Sequence, residues 1–248
     1  MNAMTPSPEH GKVRVAAIGD LHATENSARA YREIFAQVSA EADVLLLCGD
    51  LTNYGKPSEA QVLAEDLHAC SVPVIAVLGN HDYESGCVDE VKQTLTQAGA
   101  RILDGGEAVE VMDVGFGGCM GAMGGFGRGM LSSFGEPSVK TFVQACIDET
   151  MKLETSLRML RTERSVAVLH YAPIIGTLEG EPLEIFPFLG NSRLAETIDR
   201  FDNVRAVVHG HAHRGVHRGE TPKGVPVYNV ARPVLTRAGE RPFALFDV

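Results

Sequence analysis

The sequence predicts an α/β protein built on a mainly parallel sheet, and three observations predict it. Short runs of Val, Ile and Leu recur along the chain. Segments with apolar residues at three- and four-residue spacing separate them, as amphipathic helices do. Polar residues able to do chemistry stand directly after the runs. In an open α/β sheet, ligands collect beyond the carboxyl ends of the strands.

Val13–Ile18 is the first run. Ser27–Ala40 follows as a helix, with Ala28, Tyr31, Ile34, Phe35 and Val38 on one stripe. Val44–Leu47 is a second strand and Ser58–Cys70 a second helix, where Ser58 and Gln61 match a capping box. Val74–Leu78 and the helix Val88–Ala98 continue the alternating order of a parallel sheet. The runs lack polar alternation, as expected of strands covered on both faces. Ala108–Val114 reads as another strand. Gly115–Gly135 holds nine glycines and reads as an irregular segment, either a pocket wall or a surface loop. It is no P-loop, because no Gly-Lys-Ser/Thr follows the glycines. A long helix over Ser138–Thr162, a strand at Ser165–Leu169 and a loop over Ile174–Gly190 come next. A helix near Ser192–Arg200 leads to the strand Val204–Val208. The chain ends in β-like segments at Val216, Val225–Val230 and Phe243–Val248.

At 248 residues and 44% hydrophobic, the chain can bury one sizeable core. We expect a loose tail over residues 1–12 and one domain over 13–248. The tail is polar, carries Pro6 and Pro8, and lacks the apolar stretch of a signal peptide. No run is long enough to cross a membrane. Five widely spaced cysteines without a CxxC argue against a disulfide framework or a thiolate zinc site, and favour a cytoplasmic setting. The net charge of −10 argues against a long nucleic acid as partner. A small phosphorylated substrate remains compatible, because it responds to the local field of a cleft.

Five clusters follow the strands: Asp20-Leu21-His22, Gly49-Asp50-Leu51-Thr52-Asn53, Gly79-Asn80-His81-Asp82, His170, and Gly210-His211-Ala212-His213. Each alone has a plain structural reading, such as a turn, a cap or a packed core histidine. Parallel strands would bring all five to one edge. Imidazole with carboxylate suits Mn, Fe or Zn. Asp50, on the central strand, is the natural bridge between two ions at the spacing two-metal hydrolysis uses. Two divalent cations set against Asp20, Asp50 and a hydroxide leave a positive centre, which attracts a phosphate ester to an acidic protein.

In this order the clusters read D-x-H, G-D-x-x-N, G-N-H-D, H and G-H-x-H, and the chain resembles the calcineurin-like metallophosphoesterase superfamily over roughly residues 13–217. The resemblance implies a four-layer αββα sandwich with two mixed β-sheets, and it is the reason to expect a second sheet from the C-terminal strands. It implies that Asp20, His22 and His213 bind one metal, that Asn80, His170 and His211 bind a second, and that Asp50 bridges. His81 would face the substrate, either stabilising the phosphoryl oxygens or protonating the leaving alkoxide. Asp82 could fix its tautomer, and Asn53 would steady the site. The implied reaction is in-line attack on phosphorus by a metal-activated hydroxide.

The superfamily's protein phosphatases carry an Arg in a G-D-x-x-D-R-G run. Here Asn53-Tyr54-Gly55 stands in its place. The chain thus looks more like the small phosphodiesterases, including class III cyclic-nucleotide enzymes. A phosphomonoesterase or protein phosphatase of the same fold is the alternative, and a non-catalytic scaffold a third reading. Phe186 and Phe188, in the loop after His170, either pack or stack on a substrate base. His209 and His217 lie outside the motif and read as packing or supporting residues.

Overall fold

The computed structural model describes residues 11–239 and 241–248, so the expected tail lies, but for Gly11 and Lys12, outside the described residues. β1 (Arg14–Ile18), β2 (Val44–Cys48), β3 (Val74–Val77) and β4 (Ala100–Ile102) pair in parallel, and β11 (Ala244–Asp247) closes the β1 edge antiparallel. β2 and β3 are buried throughout, which is why both are unbroken apolar runs. The crossovers are α1 (Arg32–Glu41), α2 (Pro57–Leu67) and α3 (Val88–Gln97). They bury Phe35, Val38, Leu63, Leu67, Val91 and Leu95 against the sheet. Each such side chain contributes about 1.5–3 kcal/mol of apolar burial.

The second sheet runs in the order β5 (Ala108–Val111), β6 (Val114–Gly118), β7 (Arg164–Val168), β8 (Val204–His209), β10 (Pro226–Asn229) and β9 (Arg218–Glu220). Its inner four strands are parallel and both edges antiparallel. α4 (Pro137–Met159) and α6 (Ser192–Ile198) cover its outer face. Leu153, Leu157, Leu194 and Ile198 pack there with Ala167, Leu169 and Val207. On the inner face Val114, Phe116, Val166, Val168, Ala206 and Val208 join the core of β1–β3. Helices, sheet, sheet and helices form a four-layer αββα sandwich, as the sequence led us to expect. Among the described residues no helix is long and apolar enough to cross a membrane.

Several local expectations are corrected. The first helix starts at Arg32 rather than Ser27. Thr24 and Ser27 bond each other in a turn, Arg29 adopts φ +66°, and Ala28 is exposed. The second helix starts at Pro57, whose ring fixes the first helical φ. Its N-terminal acceptor is Glu59, which takes the N–H of Tyr54 and Lys56, while Ser58 bonds Glu25. Ala108–Val114 is not one strand but the start of a hairpin, turning at Met112 and Asp113 with φ +50° and +65°. Gly115–Gly118 is buried strand, not irregular segment. A Cβ at Gly117 would stand 2.8 Å from Ser156 Oγ of α4, and one at Gly118 would overlap the Val168 carbonyl. The glycines are there because helix and neighbouring strand approach too closely for a side chain. The loop 174–190 contains a short helix, α5 (Phe186–Leu189). β4, β9 and a last helix, α7 (Arg232–Ala238), have no counterpart in the sequence reading.

Candidate metal centre

All five sequence clusters meet where the carboxyl ends of both sheets converge. Asp20 and His22 follow β1, Asp50 follows β2, Asn80 and His81 follow β3, His170 follows β7, and His211 and His213 follow β8. The loops are locked by backbone bonds: Asp20 N–H to Gly49 O at 2.9 Å, His22 N–H to Asp50 O at 2.9 Å, and Gly210 N–H to His170 O at 3.1 Å. Asp20, His22, Asp50 and His211 all adopt positive φ, between +48° and +68°. Four left-handed non-glycine residues in one site store backbone strain that the surrounding bonds hold in place.

The donors form three overlapping groups among the described residues. Asp20, His22 and His213 offer ligand atoms within 4.8 Å of one another, and Asp50, His170 and His211 do the same. Asp50 Oδ2 lies 3.8 Å from His22 Nε2, and Asp50 Oδ1 lies 3.4 Å from His170 Nε2. Asn80 joins the second group, its Oδ1 3.0 Å from His170 Nε2. His81 also comes within ligand distance of His22 and Asp50.

Hydrogen bonding tests whether these residues suit a cation. His170 Nδ1 stands 3.0 Å from the Cys48 carbonyl, which can only accept, so Nδ1 donates there and Nε2 is the nitrogen turned to the centre. Nε2 faces Asn80 Oδ1 and Asp50 Oδ1. Imidazole, amide oxygen and carboxylate converging through these atoms form a donor set that suits a cation. Both ring nitrogens of His22 are buried without a hydrogen-bond partner among the described residues, an orphaned pair that ligation would satisfy. His211 Nε2 lies 3.2 Å from the Phe188 carbonyl, which leaves Nδ1 as its lone-pair nitrogen. The residues fit a metal.

Electrostatics agree for His211 and His22. Burial, helped by the neighbouring His170, pushes the His211 imidazole down to about 4, and burial lowers His22 as well. Both are held in the neutral form that ligates metal. Burial works to raise the Asp20 carboxyl, but the His213 hydrogen bond at 2.9 Å and the surrounding imidazoles outweigh it and keep Asp20 below the ordinary carboxylate range. The same bond raises His213.

His81 is oriented differently from expectation. Its Nδ1 lies 2.7 Å from the Asn53 carbonyl and its N–H donates to Asp50 Oδ1 at 2.9 Å. Asp82 makes no hydrogen bond to it. The Asp82 carboxylate instead accepts the N–H groups of Leu51, Thr52 and Gly79 and the Thr52 hydroxyl, at 2.6–3.2 Å. Asp82 is therefore a strut between the second and third loops, and Asn53 meets His81 through its backbone carbonyl. Burial raises the Asp82 carboxyl against the pull of these donors.

Glycine makes the close approach possible. A Cβ on Gly79 would overlap Asp50 Oδ1 and the Asp50 nitrogen, and would stand 2.8 Å from His170 Cε1. Gly79→Ala should therefore lower turnover roughly 100-fold by displacing Asp50, the scale of an ångström-sized misplacement. Steady-state kinetics beside a metal count would read it, and near-normal turnover would mean the loop absorbs the methyl.

Sequence reasoning missed Tyr171, whose ring packs 4.5 Å from that of His211. Its only signal is adjacency to His170. Phe186 packs against the small cluster of Ala172, Leu178, Leu189 and Ala212, whereas Phe188 is 58% exposed beside His211. His209 is buried, with hydrogen bonds to Thr177 and Gly210, and His217 bonds the Asn229 carbonyl.

Two layered sheets with a His/Asp centre at their shared edge define the class as a metallophosphoesterase. The chain belongs to the calcineurin-like phosphoesterase family, whose profile matches residues 13–215. The family's chemistry is metal-dependent phosphoester hydrolysis. Among solved structures the chain is similar to the phosphopantetheinyl hydrolase PptH from Mycobacterium tuberculosis, at 15% identity and a TM-score of 0.68, covering 96% of each chain. It is also similar to TT1561 of Thermus thermophilus, at 14% identity and a TM-score of 0.58, covering 96% of this chain and 99% of that one. At such identities the likeness is one of fold. No curated protein matches the chain.

Proposed function

We propose that the protein is a binuclear metal-dependent phosphodiesterase acting on a small or nucleotide-like ester. The observation that carries this reading is Asp50, whose two oxygens address different donor groups, one toward His22 and one toward His170. We assign Asp20, His22 and His213 to one ion, Asn80, His170 and His211 to the other, and Asp50 to both. Mn, Fe and Zn all suit the donor set. Bound there, the ions would supply Lewis-acid stabilisation of the phosphoryl oxygens and a water of lowered pKa.

The chain's own residues do the rest. Asn53 holds the His81 ring by Nδ1, which leaves Nε2 uncommitted among the described residues. As an imidazolium, His81 can pass that proton to a leaving alkoxide. Asp20 holds His213 in place, and the Cys48 carbonyl fixes His170. Tyr54, half exposed, stands where protein phosphatases of the superfamily carry Arg. A doubly charged monoester gains most from such a clamp, so its absence favours the singly charged diester. A phosphomonoesterase is the alternative. The core shared by both sheets supports one catalytic unit over 13–248, and five unpaired cysteines support a cytoplasmic setting.

Hydrolysis of a chromogenic phosphodiester and of the matching monoester, with Mn²⁺ and with chelator, tests the reading. Faster, chelator-sensitive turnover of the diester is expected. A preference for the monoester would select the alternative. Turnover of neither, by a chain shown to hold two metals, would sink the reading.

A further inference from the structure

Beside the first donor group lies a cleft of about 630 Å³. Asp20, His22 and Tyr31 line one side, and Arg232 and Arg237 of α7 line the other. We propose that this cleft is an anion subsite, in which Arg232 and Arg237 hold a second phosphate group of the ester being hydrolysed. The substrate class becomes small phosphoesters that carry a further phosphate. The inference rests on the phosphoesterase reading and deepens it.

Charge is the first argument. The chain carries −10, yet this wall holds two exposed guanidinium groups that are in no ion pair among the described residues. On an acidic protein, a local cationic wall is what draws a multiply charged anion to one place. Among the described residues Asp20 is the only acid lining the cleft, and its oxygens are taken by His213 Nε2 and the His211 N–H.

Preorganisation is the second. The Arg232 guanidinium sits 5.5 Å from the centroid of the Tyr31 ring. That ring is fixed from below, because Tyr31 donates its hydroxyl to the Leu21 carbonyl at 2.5 Å and its N–H to Asp66 at 3.0 Å. An arginine held against an aromatic ring keeps its N–H fork available for a phosphate. The root of α7 is pinned as well. The Arg232 N–H donates to the Gly19 carbonyl at 3.0 Å, one residue before Asp20. The fork and the donor group are therefore carried on one rigid piece of backbone.

The two arginines differ in what else they do. Arg237 donates to the carbonyls of His213 and Arg214, at 2.7 and 3.2 Å, so it also ties α7 to the turn bearing His213. The Arg232 side chain has no hydrogen-bond partner among the described residues, which makes it the clean probe.

Short alkanediol bisphosphates of graded length, and the matching alkyl monophosphates, would be titrated calorimetrically into the manganese-loaded full chain at fixed ionic strength. At least one bisphosphate should bind about tenfold tighter than its monophosphate. Arg232→Ala should cut that ratio to about threefold or less, and Arg232→Glu should abolish it. Arg205→Ala, which removes an exposed arginine from the opposite end of β8, should leave the ratio unchanged. Monophosphate binding with no bisphosphate preference overturns the subsite alone. An equal loss in Arg205→Ala overturns it in favour of bulk charge. Absence of all phosphate binding overturns the subsite together with the phosphoesterase reading.

Discussion

Asp50→Asn should lower metal-dependent turnover by about a thousandfold or more while leaving the protein folded. Asp50 follows Gly49, and the two take φ +48° and +81° respectively at the end of β2. Asn tolerates this left-handed backbone as Asp does, and it keeps the volume and one acceptor for the His81 N–H. What it removes is the charge. Asp20 and Asp50 are the carboxylates of the two donor groups, so the variant would leave two dications facing one carboxylate. Mutual repulsion between the ions is then uncompensated at a buried site. Metal content should fall from two per chain to one or fewer. The melting temperature measured in chelator should match that of the unmodified chain, because the backbone is unchanged. Two retained metals with turnover reduced less than about tenfold would mean that Asp50 does not bridge.

Much of the candidate site is legible in the sequence, for a physical reason. Buried parallel strands must be continuous apolar runs, so their ends are sharply marked, and the candidate ligands sit at those ends. Asp20, Asp50, Asn80, His170 and His211 all follow this rule. Features set by contact between distant segments were not legible. The glycines of β6 read as a loop because composition does not reveal that α4 lies against them. α7 carries a Pro in its first turn and has no side-chain cap, and the residues facing it across the cleft come from the far end of the chain. Arg232 and Arg237 therefore gave no signal, although they stand beside Asp20 in space. Asn53 was expected to steady the site, and the group that meets His81 is its carbonyl, which every residue type possesses. Side-chain chemistry can be read from a sequence. Which backbone atom it meets depends on how the loops fold over one another.

Asp82 is the sharpest case, and removing it should produce the second large effect. The motif places Asp82 one residue after His81, which suggests a carboxylate aligning an imidazole. In the folded chain it is fully buried and spends both oxygens on four donors belonging to Leu51, Thr52 and Gly79. These donors come from the loop that bears Asp50 and from the residue that precedes Asn80. Asp82→Ala would leave three backbone N–H groups and a hydroxyl buried without an acceptor. Each unsatisfied group costs about 1–3 kcal/mol, and partial relaxation toward water brings the total to roughly 4 kcal/mol. For a chain of this size that corresponds to a melting temperature lowered by roughly 10 °C. Turnover should fall as well, but through metal: loosening the loops separates Asp50 from Asn80, so raising the Mn²⁺ concentration should recover part of the loss. A residue that aligned His81 directly would behave otherwise, losing turnover at saturating metal with little change in melting temperature. The two measurements together distinguish a strut from a catalytic partner.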